Sequence, residues 1–148
     1  RRVDKELSAL DGHAIVCGYG RVGRAAVRRL LREGRKVAVV DKDPRHEDEL
    51  VELGVPHLIS EPEHEAVLRR MGIERAQALI CAVDSDAVNV YITITGRTLR
   101  PDLTIVARAA DSETIDILER AGANAVVSPY IISGAQMVDL AGGASGAP

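Results

Sequence analysis

A glycine-rich segment directly after an apolar run constrains this 148-residue chain more than any other feature. The run Ile15-Val16-Cys17 leads into Gly18-Tyr19-Gly20-Arg21-Val22-Gly23, a GxGxxG spacing that continues as a helical pattern. Gly18 allows a tight turn, Gly20 lets a pyrophosphate approach the backbone, and Gly23 lets the helix pack closely on the strand. The start of that helix presents free N–H groups and a positive dipole end to phosphate. The segment therefore predicts a nucleotide site.

An acidic residue closes the next apolar run. Asp41 follows Lys36–Val40, eighteen residues after the last motif glycine. A carboxylate at this place can accept both ribose hydroxyls and repels a 2′-phosphate, so it favours NAD(H) or a plain adenine nucleotide (AMP, ADP or ATP) over NADP. The alternative is a glycine turn in an α/β protein whose nucleotide site has decayed.

Short apolar runs alternate with longer amphipathic ones, which indicates an α/β protein with a doubly wound, mostly parallel sheet of six strands in the order 3-2-1-4-5-6. The predicted strands are Ala14–Cys17, Lys36–Val40, His57–Ile59, Ala78–Ala82, Leu103–Ala107 and Ala125–Val127. The predicted helices are Val22–Arg32, Pro44–Leu53, Glu63–Met71, Ser85–Thr98 and Ser112–Ala121, with another beginning near Ile131. Glycines 34, 54, 72 and 122 are placed as left-handed caps.

Ligands of such sheets lie at the carboxyl ends of the strands, next to the point where the strand order reverses. The residues that we expect around the ligand are Gly18, Tyr19, Gly20, Arg21, Val22, Gly23, Asp41, Lys42, Ser60, Glu61, Ala82, Val83, Asp84, Asn89 and Arg108. No catalytic residue is predicted.

Two of these residues, Arg21 and Asp84, have alternative interpretations, and Arg108 calls for a partner. Arg21 can fold over phosphates or remain solvated. Asp84 or Ser85 can be a simple helix cap instead of a ligand contact. Arg108 ends an otherwise apolar strand, where its charge needs a partner, and a bound phosphate would serve.

Composition limits the other function classes. The chain has room for one domain. A net charge of −3 and the absence of Phe and Trp argue against binding to nucleic acid. No apolar run approaches the roughly 18 residues that span a bilayer, and the N-terminus is no signal peptide, so we expect a cytoplasmic location. Cys17 and Cys81 lie in apolar runs, which favours buried, reduced thiols.

No metal site is predicted. The four histidines, at positions 13, 46, 57 and 64, lack zinc-ligand spacing. Acidic residues cluster on the helix around Asp43–Glu52, and arginines line the helix after the motif, from Arg24 to Arg35. Both patterns are typical of solvated helix faces, although the acidic one can hold a divalent ion weakly at an interface.

A wider set of motifs resembles a known family. Besides the glycine motif, it comprises Val40-Asp41-Lys42-Asp43-Pro44, Ser85-Asp86-Ala87-Val88-Asn89, Ile105-Val106-Ala107-Arg108-Ala109, Ala121-Gly122-Ala123-Asn124 and Ser128-Pro129. From about His13 to Leu140, the chain is similar to the N-terminal lobe of the domain that regulates the conductance of potassium, found in prokaryotic potassium channels and Trk/Ktr-type regulators. The resemblance implies a Rossmann domain that senses nucleotides or ions and forms homodimers or rings that gate a potassium pore in the same or a partner chain, on the cytosolic side of the membrane.

The resemblance also suggests a division of the chain. Residues 1–12 are a linker from a pore helix, 13–128 the nucleotide-binding domain, 129–141 a crossover helix that reaches a partner subunit, and 142–148 a flexible tail. The family's smaller C-terminal lobe is missing, which suggests a truncated chain.

Two places depart from the family pattern. Ser60-Glu61-Pro62 replaces the Gly-Asp-Ala of many relatives, so adenosine contacts there are in doubt, although Glu61 can act as an acceptor. Calcium-gated relatives have acidic side chains where this chain has Arg108 and Ala110, so we expect no calcium site. The hypothesis is a non-catalytic regulatory domain. The alternatives are a soluble Trk/Ktr-type subunit and a fragment of an NAD-dependent oxidoreductase.

Overall fold

The apolar runs form six short strands that pair into one sheet. In this computed structural model, which describes residues 2–143, the strands are β1 (Ala14–Cys17), β2 (Val37–Asp41), β3 (His57–Ile59), β4 (Ala78–Cys81), β5 (Thr104–Arg108) and β6 (Ala125–Val127). Their order is β3-β2-β1-β4-β5-β6, and every neighbouring pair is parallel. The predicted strand order is confirmed, and the sheet is parallel throughout rather than mostly parallel.

Helices cover both faces of this sheet. They are α1 (Arg2–Ser8), α2 (Arg21–Arg32), α3 (Glu47–Leu53), α4 (Glu65–Arg70), α5 (Asp86–Leu99), α6 (Ser112–Ala121) and α7 (Pro129–Val138). A short 3₁₀ turn, Pro44–His46, precedes α3, and a wider π-type turn, Asp139–Gly143, follows α7.

Two hydrophobic clusters pack on opposite faces of the sheet, because alternate strand residues point to opposite sides. Val16 and Val39 belong to one cluster, with Val27 of α2 and Leu50 of α3. The other cluster contains Ile15 and Val40 and the buried residues of four further helices, Leu7, Leu68, Ile92 and Leu118. A strand that is buried on both faces reads as a continuous apolar run, which is why periodicity locates β1, β2 and β4 well.

The ends of the helices follow their local sequence. All four glycines that were predicted as caps have positive φ angles, from +69° at Gly34 to +117° at Gly122. The side chain of Asp43 accepts the N–H of Arg45 at 2.9 Å, as an N-cap in front of Pro44 should.

Several boundaries differ from the sequence prediction. Helix α1 occupies most of the segment expected to be a linker, because Leu7 reaches the core cluster. The predicted helix from Pro44 begins as a 3₁₀ turn, and α4 is shorter than expected at both ends. Helix α7 begins at Pro129 rather than near Ile131. Most of the predicted tail, residues 144–148, lies outside the described residues.

The two cysteines are register partners on neighbouring strands. Cys17 of β1 pairs with Cys81 of β4, and both are fully buried free thiols. Burial raises the pKa of Cys17 well above its ordinary value and the pKa of Cys81 to about 12, which disfavours the reactive thiolate form of both. Among residues 2–143, no helix is long and apolar enough to cross a bilayer.

Candidate functional site

A cavity of about 700 Å³ opens where β1, β2, β4 and β5 end. This volume lies within the range of sites for small molecules and cofactors. Its walls are formed by Gly18, Gly20, Arg21, Val22, Asp41, Lys42, Asp43, Arg45, His46, Glu61, Pro62, Glu63, Ala82, Val83, Asp84, Ser85, Val88, Arg108, Pro129, Tyr130 and Ser133. The cavity therefore lies at the reversal of the strand order, where the sequence placed a ligand.

Glycine stands at each of the three motif positions for a different structural reason. A Cβ on Gly18, whose φ is +97°, would lie 2.8 Å from the carbonyl oxygen of Ala82. A Cβ on Gly23 would lie only 1.8 Å from the carbonyl oxygen of Gly18. A Cβ on Gly20 would meet no atom within 4 Å. Packing of the protein thus requires Gly18 and Gly23, whereas Gly20 keeps open a space beside the backbone that the cavity occupies.

The N-terminus of α2 faces this open space. Its N-cap, Gly20, provides no side-chain cap, and the first turn of the helix contains no acidic residue. The first intrahelical hydrogen bond runs from Arg24 N–H to Gly20 O at 2.8 Å, so the preceding helical N–H groups have no such partner. This helix end is consequently a positive surface suited to an anion.

Asp41 is held in place at the opposite side of the glycine loop. Its Oδ1 accepts the backbone N–H of Tyr19 at 2.8 Å, and its Oδ2 accepts the backbone N–H of Asp43 at 3.0 Å. Oδ2 also lies 2.7 Å from Nδ1 of His46. The residue is only 8% exposed yet lines the cavity, and these hydrogen bonds hold its carboxylate in one orientation at the cavity wall.

Tyr19 supports this loop from beneath and does not line the cavity. Its buried ring points away, and its hydroxyl donates to Oε2 of Glu49 on α3 at 2.5 Å. Burial, followed by this contact, raises the pKa of Tyr19, and the same hydrogen bond is the largest cause that lowers the pKa of Glu49. Arg24 stacks over the Tyr19 ring and also pairs with Glu49, as does Arg28. Tyr19 thus acts as an anchor between the loop and α3.

Asn89 plays a similar part on the other side of the cavity. It is completely buried on α5, accepts the N–H of Val83 at 3.0 Å, and donates to the carbonyl oxygens of Val83 at 2.8 Å and Arg108 at 3.1 Å. Ser85 caps α5 by accepting the N–H of Val88. The carboxylate of Asp86 accepts the N–H groups of Ala110 and Asp111. These polar residues fix the loops that follow β4 and β5.

Arg108 brings a positive charge to the wall formed by β5. Its Nη2 donates to the Tyr130 hydroxyl at 2.9 Å and lies 3.3 Å from Oδ1 of Asp84. The guanidinium also stacks over the Tyr130 ring, 5.6 Å from its centroid. Its Nε is buried and has no hydrogen-bond partner within residues 2–143. The charge of Arg108 therefore has a partner inside the chain, Asp84, and the bound phosphate expected from the sequence stays a prediction.

The structure brings most of the predicted site residues to the cavity, but four do not line it: Tyr19, Gly23, Ser60 and Asn89. Gly23 lies under the loop, and Ser60 donates its backbone N–H to the carbonyl oxygen of Asp41 at 2.9 Å. Arg21 and Lys42 are exposed at the rim, and their side chains have no hydrogen-bond or ion-pair partner in the described part of the chain. The binding roles of the lining residues remain predictions.

Sequence reasoning missed several residues of the wall, notably His46 after β2 and Pro129, Tyr130 and Ser133 at the start of α7. A usable signal existed for α7, because it directly follows β6 and parallel strands end at one edge of a sheet. His46 offers no such signal, because it reaches the site by bonding Asp41. Over residues 2–143, no group of three or more His, Cys, Asp or Glu side chains is arranged to hold a metal ion.

Comparison with known families and proteins gives a consistent result. The TrkA-N domain family matches residues 14–129. The probable potassium channel protein 2 of Methanocaldococcus jannaschii is 34% identical over 143 residues, which are 95% of this chain and 42% of that protein. The glutathione-regulated potassium-efflux system protein KefC of Cronobacter sakazakii is 32% identical over 117 residues, 79% of this chain and 19% of KefC. The chain thus spans less than half the length of these relatives.

Solved structures agree with this assignment. The TrkA-N domain of the inner membrane protein ybaL from Escherichia coli superimposes with a TM-score of 0.85 at 28% identity, covering 89% of this chain and 98% of that one. The GsuK channel bound to NAD superimposes with a TM-score of 0.79 at 25% identity, and the match covers 87% of this chain and 23% of the channel chain. The AMP-bound C-terminal domain of Kef from Shewanella denitrificans superimposes with a TM-score of 0.78 at 25% identity, and the match covers 87% of this chain and 78% of the Kef chain.

Proposed function

We propose that this chain, which belongs to the TrkA-N domain family, is the nucleotide-sensing part of a potassium channel or potassium transport protein. Relatives named as a potassium channel and as a potassium-efflux protein support this role. In this proposal the domain lies on the cytosolic side of the membrane, and the pore belongs to the same chain or to a partner subunit.

The ligand is an adenine nucleotide or NAD(H). The observation that carries this choice is the uncapped N-terminus of α2 beside Gly20, where a Cβ would meet nothing and a phosphate has free N–H donors. Asp41, at the end of β2, is oriented to accept the ribose hydroxyls and disfavours a 2′-phosphate. The NAD-bound GsuK channel and the AMP-bound Kef domain support this class of ligand.

Regulation follows from a shift between two arrangements of associated domains. The apolar residues of α7 and the turn after it are exposed, including Ile132, Met137 and Leu140, and in this proposal they join copies of the domain into a dimer or ring. A nucleotide then favours the arrangement to which it binds more tightly, and that arrangement pulls on or releases the gate. No chemical step is needed for this function.

Mass spectrometry of nucleotide released from the purified chain tests the proposal, together with a thermal-unfolding panel of AMP, ADP, ATP, NADH and NADPH. We expect an adenine nucleotide to be released. A ligand at about a hundred times its dissociation constant should stabilise the fold by about 2.7 kcal/mol. No stabilisation by any member of the panel would contradict the proposal.

An activity assay on the same purified chain distinguishes a nucleotide sensor from a fragment of an oxidoreductase. We expect no substrate-dependent oxidation of NADH with common carbonyl compounds. Turnover that disappears in an Asp41→Ala variant would favour the oxidoreductase instead. To distinguish a tethered domain from a separate regulatory subunit, the full-length gene is examined for pore helices before Arg1.

A further inference from the structure

The first turn of α7 is part of the nucleotide cavity. Pro129, Tyr130 and Ser133 line the wall that adjoins β5. Helix α7 has no buried residue, and within residues 2–143 its side chains make no hydrogen bond to the rest of the domain except through Tyr130. One side chain therefore provides the polar link between the cavity and the helix that carries the exposed apolar surface.

Arg108 is shared between that side chain and an acid on the neighbouring loop. Its Nη2 contacts the Tyr130 hydroxyl at 2.9 Å and Oδ1 of Asp84 at 3.3 Å, and its plane stacks on the Tyr130 ring. The side chain of Arg108 is 11% exposed, whereas that of Asp84 is 89% exposed. An exposed carboxylate regains its hydration when released, so Asp84 is the partner that another anion replaces most easily.

We propose that an anionic group of the bound nucleotide takes over the Arg108 guanidinium from Asp84 and thereby repositions α7 through Tyr130. This inference rests on the proposed function, because it requires a nucleotide in the cavity. A guanidinium binds phosphate oxygens through a planar fork of donors, and Arg108 has an Nε with no partner inside the described chain. When the guanidinium turns towards a phosphate, the stacked ring of Tyr130 follows it.

The proposal separates two parts of the cavity. The ribose side is formed by Asp41 and the loop above Tyr19, which have no contact with Arg108. Adenosine, which has no phosphate, is expected to occupy this side without moving α7. ADP, which carries a chain of two phosphates, is expected to reach Arg108 and move the helix.

The test measures the distance between α2 and α7 by pulsed electron resonance of two spin labels. Arg32→Cys and Gln136→Cys place both labels at exposed positions. The native Cys17 and Cys81 are fully buried, so labelling is confined to the introduced cysteines. Dilution with excess unlabelled chain ensures that only distances within one molecule are measured. The doubly labelled chain is measured alone, with adenosine and with ADP, and calorimetry confirms that each ligand is bound.

We expect ADP, but not adenosine, to shift the distance distribution. The shift should disappear in Tyr130→Ala and in Arg108→Gln, and should persist in Tyr91→Ala, a control tyrosine on α5 that is 61% exposed against 54% for Tyr130. Since coupling is reciprocal, Tyr130→Ala should also weaken ADP binding by about fivefold while leaving adenosine binding unchanged. If Tyr130→Ala unfolds, Tyr130→Phe replaces it in the test. This variant keeps the ring but lacks the hydroxyl, so ADP should shift the distance between the labels less than in the native chain.

The outcomes distinguish the inference from the function on which it rests. If ADP does not bind the native chain, the proposed function fails and the inference fails with it. If ADP binds but leaves the distance unchanged, or if the shift survives in either Tyr130→Ala or Arg108→Gln, the inference is wrong while nucleotide sensing stands.

Discussion

The backbone N–H of Tyr19 donates a 2.8 Å hydrogen bond to Oδ1 of Asp41. This bond joins the glycine loop in front of α2 to the acid that ends β2. A substitution at either residue should therefore alter the conformation of both the glycine loop and the end of β2. The two parts of the predicted nucleotide motif, 22 residues apart in the chain, form one unit before any ligand binds.

Replacement of Gly20 should abolish ligand binding without unfolding the chain. In Gly20→Val, the Cβ itself meets no protein atom within 4 Å, and the backbone angles of Gly20 (φ −79°, ψ −156°) suit an L-residue. The branched side chain, however, fills the space beside the α2 N-terminus. We expect a native unfolding midpoint without ligand and no thermal shift with any adenine nucleotide.

Gly23→Ala, in contrast to Gly20→Val, should destabilise the fold. Its Cβ would lie 1.8 Å from the carbonyl oxygen of Gly18, so strand and helix must separate. We expect a loss of about 3 kcal/mol or more in the free energy of unfolding, measured by urea denaturation. Equal stability of Gly20→Val and Gly23→Ala would contradict a packing role for Gly23.

Asp41→Asn should reduce both stability and ligand discrimination. The carboxylate accepts two backbone N–H groups and contacts His46, and the amide replaces one acceptor oxygen with a donor. We expect a loss of about 1–3 kcal/mol in stability. The preference for NADH over NADPH should also narrow, because the repulsion of a 2′-phosphate is removed.

Asp48→Asn provides the control for charge alone, because Asp48 is an exposed acid on α3 outside the cavity. Its thermal-shift panel should match that of the native chain. An Asp41→Asn variant that still rejects NADPH as strongly as the native chain would contradict the assigned role of Asp41.

The contact between Tyr19 and Glu49 should make stability depend on pH. The tyrosine hydroxyl holds the pKa of Glu49 below its ordinary value of 4.5 in the folded state. A lowered folded pKa contributes stability above the unfolded pKa, and that contribution is lost as the pH falls through the folded pKa. Tyr19→Phe removes the largest cause of the shift.

We therefore expect the native chain to have a higher unfolding midpoint than Tyr19→Phe at neutral pH. The difference should narrow as the pH falls below about 4.5, the ordinary value for Glu49. Midpoints measured by circular dichroism from pH 7 to pH 3 provide the test. A difference that stays constant over this range would mean that Tyr19 acts by packing alone.

The exposed apolar surface of α7 should mediate self-association. Ile132 and Met137 are both more than half exposed, which is costly unless another molecule covers them. We expect sedimentation of the native chain to show a dimer or a larger assembly, and the double variant Ile132→Glu/Met137→Glu to be monomeric with an unchanged unfolding midpoint. Val51→Glu, at an exposed apolar position on α3, should remain associated.

The sequence was sufficient for most of the fold because the relevant signals are local. Each strand that is buried on both faces is a continuous apolar run, and each predicted glycine cap lies just beyond an amphipathic run. The order of the strands follows from right-handed crossovers between parallel strands. Helix α1 escaped this reasoning, because the one buried side chain that anchors it, Leu7, produces no periodic pattern.

For the site, the sequence by itself determined the glycine loop, the acid that ends β2 and the edge of the sheet at which they meet, since a fixed spacing and strand polarity suffice to place them. Only the tertiary structure decided which side chains face the cavity. It turned Tyr19 inwards to Glu49, buried Asn89 as a clamp between two loops, and brought Arg108 to Tyr130. These contacts join residues about twenty to thirty positions apart, where neither helical nor strand periodicity relates one side chain to another.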